Sequence, residues 1–196
     1  MQKVVWPGST QLAPLPVVLV GTGNGREFKN NLLTVAWAGI VCSDPAMLSI
    51  SVRPERYSYA ALIATREFTV NVPLARQAKC VDWCGVVSGR DHDKFAEQNL
   101  TAIRGTKVQA PLVGECPLNL ECQVKEILHL GSHDLFLAEI LAVQVSDSFI
   151  AGNGRLALES EGGVLGYAHG HYFQLGECIG HFGFAVRKKA GPVVRR

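Results

Sequence analysis

Apolar positions along this chain recur mostly at a spacing of two, in short runs closed by glycine or proline, which predicts β-strands and tight turns. Pro16-Val-Val-Leu-Val-Gly21 forms one run and Thr22-Gly-Asn-Gly25 closes it as a turn. Residues 33–41 are rich in β-branched and aromatic side chains and predict a second strand, and Ala46–Val52 a third after an Asp44-Pro45 turn. Residues 68–72, stopped by Pro73, predict a fourth. The longest pair covers residues 118–130 and 134–145, joined by Gly131-Ser-His133 as a hairpin. In its first member Leu118, Leu120, Cys122 and Val124 alternate strictly, then the phase slips to Ile127, the mark of a bulge where a sheet bends.

The second member places Leu135, Leu137, Leu141, Val143 and Val145 on one face and Phe136, Ala138, Ile140 and Ala142 on the other. Glu139 and Gln144 are nearly its only polar interior positions, so both faces call for apolar cover: barrel interior on one side, a helix or a second subunit on the other. Three helices are predicted, at residues 58–64 behind a Ser58 cap, at 74–87, and at 93–99 with Asp91 and Asp93 at its start. Short strands with few helices and no dividing linker predict a mainly β, barrel-type fold in one domain over residues 1–186, followed by a basic tail at 187–196.

Composition narrows the class. With 47% hydrophobic and 18% charged residues in 196, the chain is neither disordered nor a coiled coil. The net charge of +2 comes from its end: the tail carries Arg187, Lys188, Lys189, Arg195 and Arg196, leaving 14 basic against 17 acidic residues before it. That balance does not suit a nucleic-acid binder. No apolar run approaches the ~18 residues of a membrane span. The opening Met1-Gln-Lys-Val-Val-Trp-Pro lacks an apolar signal core, so a cytoplasmic protein is expected. Six cysteines without such a signal are expected as buried thiols rather than disulfides, with zinc the alternative at Cys80-x3-Cys84. His169-Gly-His171 is expected at the surface or in a dimer contact, with a metal pair as its alternative.

Gly21-Thr-Gly23-Asn-Gly25 superficially matches a dinucleotide fingerprint, but Arg26 stands where the third glycine belongs, and no helical period follows. The chemistry concentrates elsewhere. Arg53 and Arg56 flank the predicted start of a helix, where free backbone N–H groups, the positive dipole end and two guanidiniums suit a phosphate. Trp37 offers a flat apolar surface, with plain barrel core as its alternative role.

These residues fall into an ordered set: Asn31-x-x-Thr34-x-Ala36-Trp37, Asp44-Pro45-Ala46, Arg53-x-x-Arg56-x-Ser58-Tyr59, Phe68-x-Val-Asn71-x-Pro73, Ser88-Gly-Arg-Asp-x-Asp-Lys94-Phe95, Leu120-Glu-Cys122, Gly131-Ser-His133 and Tyr172-x-x-Leu-Gly176. Over residues 16–183 the chain resembles the flavin reductase-like proteins of the FMN-binding split-barrel fold, in particular their flavoredoxin-like branch. The resemblance implies a Greek-key split β-barrel that binds FMN noncovalently at the interface of a homodimer. It implies that Asn31, Thr34, Ala36 and Trp37 line the flavin ring and that Arg53, Arg56, Ser58, Tyr59 and Lys94 serve the phosphate end. Two activities follow from it: an NAD(P)H-dependent reductase passing electrons through FMN to a small-molecule or protein acceptor, or a carrier reduced by a partner protein. No Ser/His/Asp group or paired carboxylates stand out, which fits chemistry carried by a cofactor.

Overall fold

A computed structural model describes residues 1–158 and 163–186; the basic tail predicted at 187–196 lies outside the described residues. In chain order the elements are β1 (Leu15–Pro16), β2 (Val18–Thr22), β3 (Asn31–Val35), β4 (Ala38–Ser43), β5 (Ala46–Val52), α1 (Tyr57–Thr65), β6 (Glu67–Val72), α2 (Ala78–Val86) and α3 (Lys94–Glu97). Then follow β7 (Ala102–Ile103), β8 (Leu112–Val113), β9 (Leu118–His129), β10 (Asp134–Val145), β11 (Leu165–Ala168) and β12 (His171–Gln174). Seven strands form one antiparallel sheet in the order β3-β2-β6-β9-β10-β5-β4. Strands β1, β11 and β12 make a small second sheet. No described helix is long and apolar enough to cross a membrane.

The outer strands of the large sheet, β3 and β4, are neighbours in sequence, separated only by Ala36 and Trp37. The sheet must therefore curl until its two edges nearly meet, which makes a barrel split at Trp37. The Trp37 carbonyl accepts from Ser51 N at 2.9 Å and ties the corner to β5. The continuous strand predicted at 33–41 is thus two strands on opposite edges. On the β4 side only Ala38 packs against the interior, and Ile40 and Val41 of the same apolar run are exposed.

Val18, Val20, Leu33, Val35, Ile50, Phe68, Val70, Cys122, Phe136 and Ala138 fill that interior, and Leu62 of α1 plugs it. A second core lies outside the barrel wall, where Val17, Leu19 and Leu32 meet Val81 and Cys84 of α2, Phe95 of α3, Val113 and Cys116. Strand β2 is buried on both faces as a result, hence its unbroken Val-Val-Leu-Val run.

The slip predicted in β9 is a bulge at Lys125: Leu137 faces Glu126 while Ala138 faces Val124. A second bulge at Leu141 changes the predicted faces of β10, since Ile140 opposes Cys122 but Ala142 opposes Glu121 and Val143 opposes Leu120. Directly opposed residues share a face. Val143 therefore joins Phe136, Ala138 and Ile140 on the interior side, and Ala142 and Gln144 join Leu135 and Leu137 outside. Simple alternation could not reveal this, because residues 140–143 of the bulged strand are all apolar.

Candidate functional site

Helix α1 begins one residue earlier than its predicted serine cap. Its N-cap is Arg56, in extended conformation and without a side-chain cap bond, and Ser58 lies inside the first turn. Arg56 N and Tyr59 N donate to the carbonyls of Arg53 and Arg56, which leaves the N–H groups of Tyr57 and Ser58 as open donors beside the Arg56 guanidinium. The Ser58 hydroxyl is engaged from behind, accepting from Asn31 Nδ2 at 2.8 Å. Asn31 is held in turn by the 88–91 turn, which packs so closely that a Cβ on Gly89 would stand 2.1 Å from Asn31 Oδ1.

Two adjoining clefts meet at this point. The wider, of about 480 Å³, is lined by Thr34, Ala36, Trp37, Arg53, Arg56 and His133, with Asp82, Gly85, Val86, Tyr167 and Tyr172 opposite. The narrower, of about 280 Å³, is lined by Asn31, Arg56, Tyr57, Ser58, Ser88, Gly89 and Lys94. Leu33, Arg56 and Val86 belong to both, so the two form one continuous trough. The wide end is aromatic, with Trp37 stacked on His133 at 4.6 Å between ring centroids. The narrow end is cationic and rich in N–H donors. Together they have the size of a small-molecule site.

Helix α2 forms the far wall and holds the near one. Its Val81 carbonyl accepts from Thr34 Oγ1 at 2.5 Å, its Cys84 carbonyl from Lys94 Nζ at 2.6 Å and its Gly85 carbonyl from Arg56 Nη1 at 3.3 Å. Lys94 also donates to the Leu32 carbonyl at 2.8 Å. Burial pushes its ammonium down to about 8, partly offset by the nearby Cys84 and reinforced by the charge of Arg56. Among the described residues Arg56 has no ion-pair partner. The His133 imidazole is pushed down by burial and then by Arg53, so it stays neutral near pH 7.

Eight of the nine predicted site residues line the trough, but their grouping differs from the expected one. Arg53 sits at the wide end and pairs with Glu55 at 3.4 Å, so only Arg56 serves the narrow end as a guanidinium. Lys94 is almost fully buried behind that end, acting through its charge and its two carbonyl bonds. Tyr59 lines neither of these two clefts. Its hydroxyl donates to Asp134, its ring meets Phe136 edge-on, and it lines an adjoining cleft that shares Asn31, Arg56 and Ser58 with the narrow end. The sequence reading did not single out Asp82, Tyr167 or Tyr172 as lining residues; Tyr172 donates to Asp82 at 3.1 Å and so ties the small sheet to α2. No local spacing links residues 90 positions apart.

Fold and trough together define a split-barrel protein with a cleft that is aromatic at one end and cationic at the other. Residues 10–176 match the family described as flavin reductase like domain, and the chain belongs to that family. It is similar to the flavoredoxin of Desulfovibrio vulgaris (Miyazaki F), at 30% identity and a TM-score of 0.87, covering 95% of this chain and all of that one. The flavoredoxin of Methanosarcina acetivorans follows at 26% identity and a TM-score of 0.85, with 95% of this chain and 100% of that one covered. In sequence, a protein of Archaeoglobus fulgidus is 33% identical over 138 residues, which is 70% of this chain and 76% of the relative.

Proposed function

We propose that the trough holds FMN noncovalently and that the protein is an NAD(P)H-dependent reductase passing electrons from that flavin to an acceptor. The observation that carries this reading is the joining of an aromatic cleft to a cationic, N–H-rich one through Arg56. A flavin mononucleotide has the matching polarity, a flat apolar ring at one end and a dianion at the other. The donor set fits it: an uncapped helix start, an unpaired guanidinium and a buried ammonium converge where the phosphate would lie. FMN, when bound, supplies hydride and electron transfer. Trp37, Thr34 and Ala36 would orient the ring, Arg56, Ser58 and Asn31 would fix the phosphate, and Tyr172 with Asp82 would shield the wide end from water.

The same reading includes a homodimer. Ser51 of β5 lines the trough and pairs with Leu135 of β10, whose outward neighbour Leu137 is only half-buried in the single chain. A second copy laid on that face would cover the apolar strip and close the trough, giving two equivalent sites. Sedimentation equilibrium should return twice the chain mass, with FMN lost on dissociation; a monomer that retains FMN would exclude the interface.

The likeness to flavoredoxins favours a second reading, an electron carrier reduced by a partner protein. Steady-state oxidation of NADH and NADPH by the FMN-loaded protein separates the two. Turnover accelerated by added free flavin supports the reductase. FMN that stays oxidised with both nicotinamides supports the carrier.

A further inference from the structure

On the face of α2 turned away from the trough, Cys80 and Cys84 stand one helical turn apart, both packed into the outer core. Cys80 is half-buried, whereas Cys84 and Cys116 are enclosed in the outer core. Among the described residues no cluster of His, Cys, Asp or Glu could hold a metal ion, so this group of thiols is not explained as a metal site. The two helical thiols are unlike. The neighbouring Cys84 thiol draws the Cys80 thiol below its ordinary range, against burial and the nearby Glu115. The Cys80 thiol and burial push Cys84 up. Burial pushes Cys116 up to about 12, despite a weak bond from Gln77. Cys80 is the thiol of the pair that is open to solvent, so an oxidant reaches it first, and Cys84 one turn further on is the resolving thiol.

We propose that Cys80 and Cys84 form a reversible disulfide that loosens the anion-binding end of the trough. With hydrogen peroxide as oxidant, the Cys80 thiolate attacks one oxygen. An S–O bond forms, the O–O bond breaks, and hydroxide leaves and is protonated to water. The Cys84 sulfur then attacks that sulfenic acid. The S–S bond forms, the S–O bond breaks, and a second water leaves with the Cys84 proton. Two thiols lose two electrons and two protons, and one peroxide becomes two waters.

The coupling to the trough is geometric. Cβ atoms at i and i+4 of a helix lie about 5–6 Å apart, and a disulfide holds them at about 3.5–4.5 Å. The turn from Cys80 to Cys84 must therefore tighten. That turn and the residue after it provide the carbonyls of Val81, Cys84 and Gly85, which hold Thr34, Lys94 and Arg56. Shortening it pulls all three supports at once. Packed against the barrel wall, the helix cannot absorb the change by sliding freely.

The consequence for FMN rests on the functional reading above, so the experiment keeps the two separable. The full chain, fully reduced or treated with hydrogen peroxide, is alkylated and digested with trypsin. Peptide 80–90 carries both helical cysteines and no internal basic residue, whereas Cys116 falls in peptide 108–125. Oxidation should leave peptide 80–90 unalkylated and two hydrogens lighter than its dithiol form, and weaken FMN about ten- to hundredfold, as expected for losing one charge-assisted contact. Dithiothreitol should reverse both effects, and Cys80→Ser, at a half-buried position, should abolish both while binding FMN like the reduced protein. No mass loss, a cross-link between peptides 80–90 and 108–125, or a disulfide with unchanged FMN affinity would overturn the proposal. A reduced chain that binds no FMN contradicts the functional reading instead. Amide exchange at residues 81–85 then decides without ligand: faster exchange after peroxide upholds the coupling, and unchanged exchange overturns it.

Discussion

On the outer side of β9, Glu121 is wholly buried and accepts five hydrogen bonds, from Thr106 N and Oγ1, Lys107 N, Val108 N and Gln144 Nε2. Beside the trough Lys94 is buried almost as deeply, yet donates only to the carbonyls of Leu32 and Cys84. Burial opposes the charge in both places. At Glu121 the bonds outweigh it and hold the carboxyl down at about 2, so the anion is the comfortable form. At Lys94 burial wins, and the ammonium falls to about 8. The first charge is fully used inside the chain, pinning the 105–110 loop to the barrel. The second leaves one of its three N–H donors without a partner among the described residues, at the wall of the narrow cleft. A buried charge left under-satisfied beside a cleft is the better pointer to function.

The largest expected effect breaks the Glu121 side of this contrast. Glu121→Gln places an amide against donors that need an acceptor, and should cost the fold about 3 kcal/mol in urea unfolding. A loss below about 0.5 kcal/mol would mean that the loop holds itself. The acid limb sharpens the same point. The depressed carboxyl contributes stability above its unfolded value of 4.5 that disappears as pH falls toward about 2. Stability measured across that window should fall less steeply in Glu121→Gln than in the parent.

Next in size is Arg56→Ala. Removing a charge-assisted contact of about 1.5–3 kcal/mol should weaken FMN roughly ten- to hundredfold and riboflavin hardly at all. Equal weakening of both ligands would make Arg56 a support for Gly85 rather than a phosphate ligand.

The smallest effect reads Lys94 directly. As pH rises through about 8 its ammonium loses a proton, and FMN affinity should fall severalfold while riboflavin affinity stays level. Lys94→Met should be weak for FMN throughout and lack that step. Stability moves the other way: the unfolded lysine keeps its proton up to 10.5, so this group adds stability as pH climbs from about 8 to that value. A pH-independent ratio of FMN to riboflavin affinity would remove Lys94 from the site.

Much of this was legible in the sequence, and the gaps have physical causes. Alternation revealed β9, β10 and the bulge at Lys125, because polar and apolar positions differ there. It missed the bulge at Leu141, because residues 140–143 of that strand are all apolar, and the corner at Trp37, where an apolar run continues across the split. Asn31, Arg56, Ser58 and Lys94 were found from motif order, yet the burial of Lys94 follows from α2 and β3 closing over it. Tyr59 carries the same motif signal but is claimed by Asp134, a partner 75 residues away. Glu121 alternates with Leu120 and Cys122 and so falls on the opposite face, and the loop that buries it there arrives from outside that alternation.

The central claim is that one trough binds a flat ring at Trp37 and a phosphate at Arg56. Parallel equilibrium titrations of the ligand-free protein with FMN and riboflavin, followed by quenching of flavin fluorescence, test it most directly. The account predicts quenching by both ligands at micromolar concentration or below, with FMN bound at least tenfold more tightly. Equal affinities, or no quenching by either flavin, would contradict it.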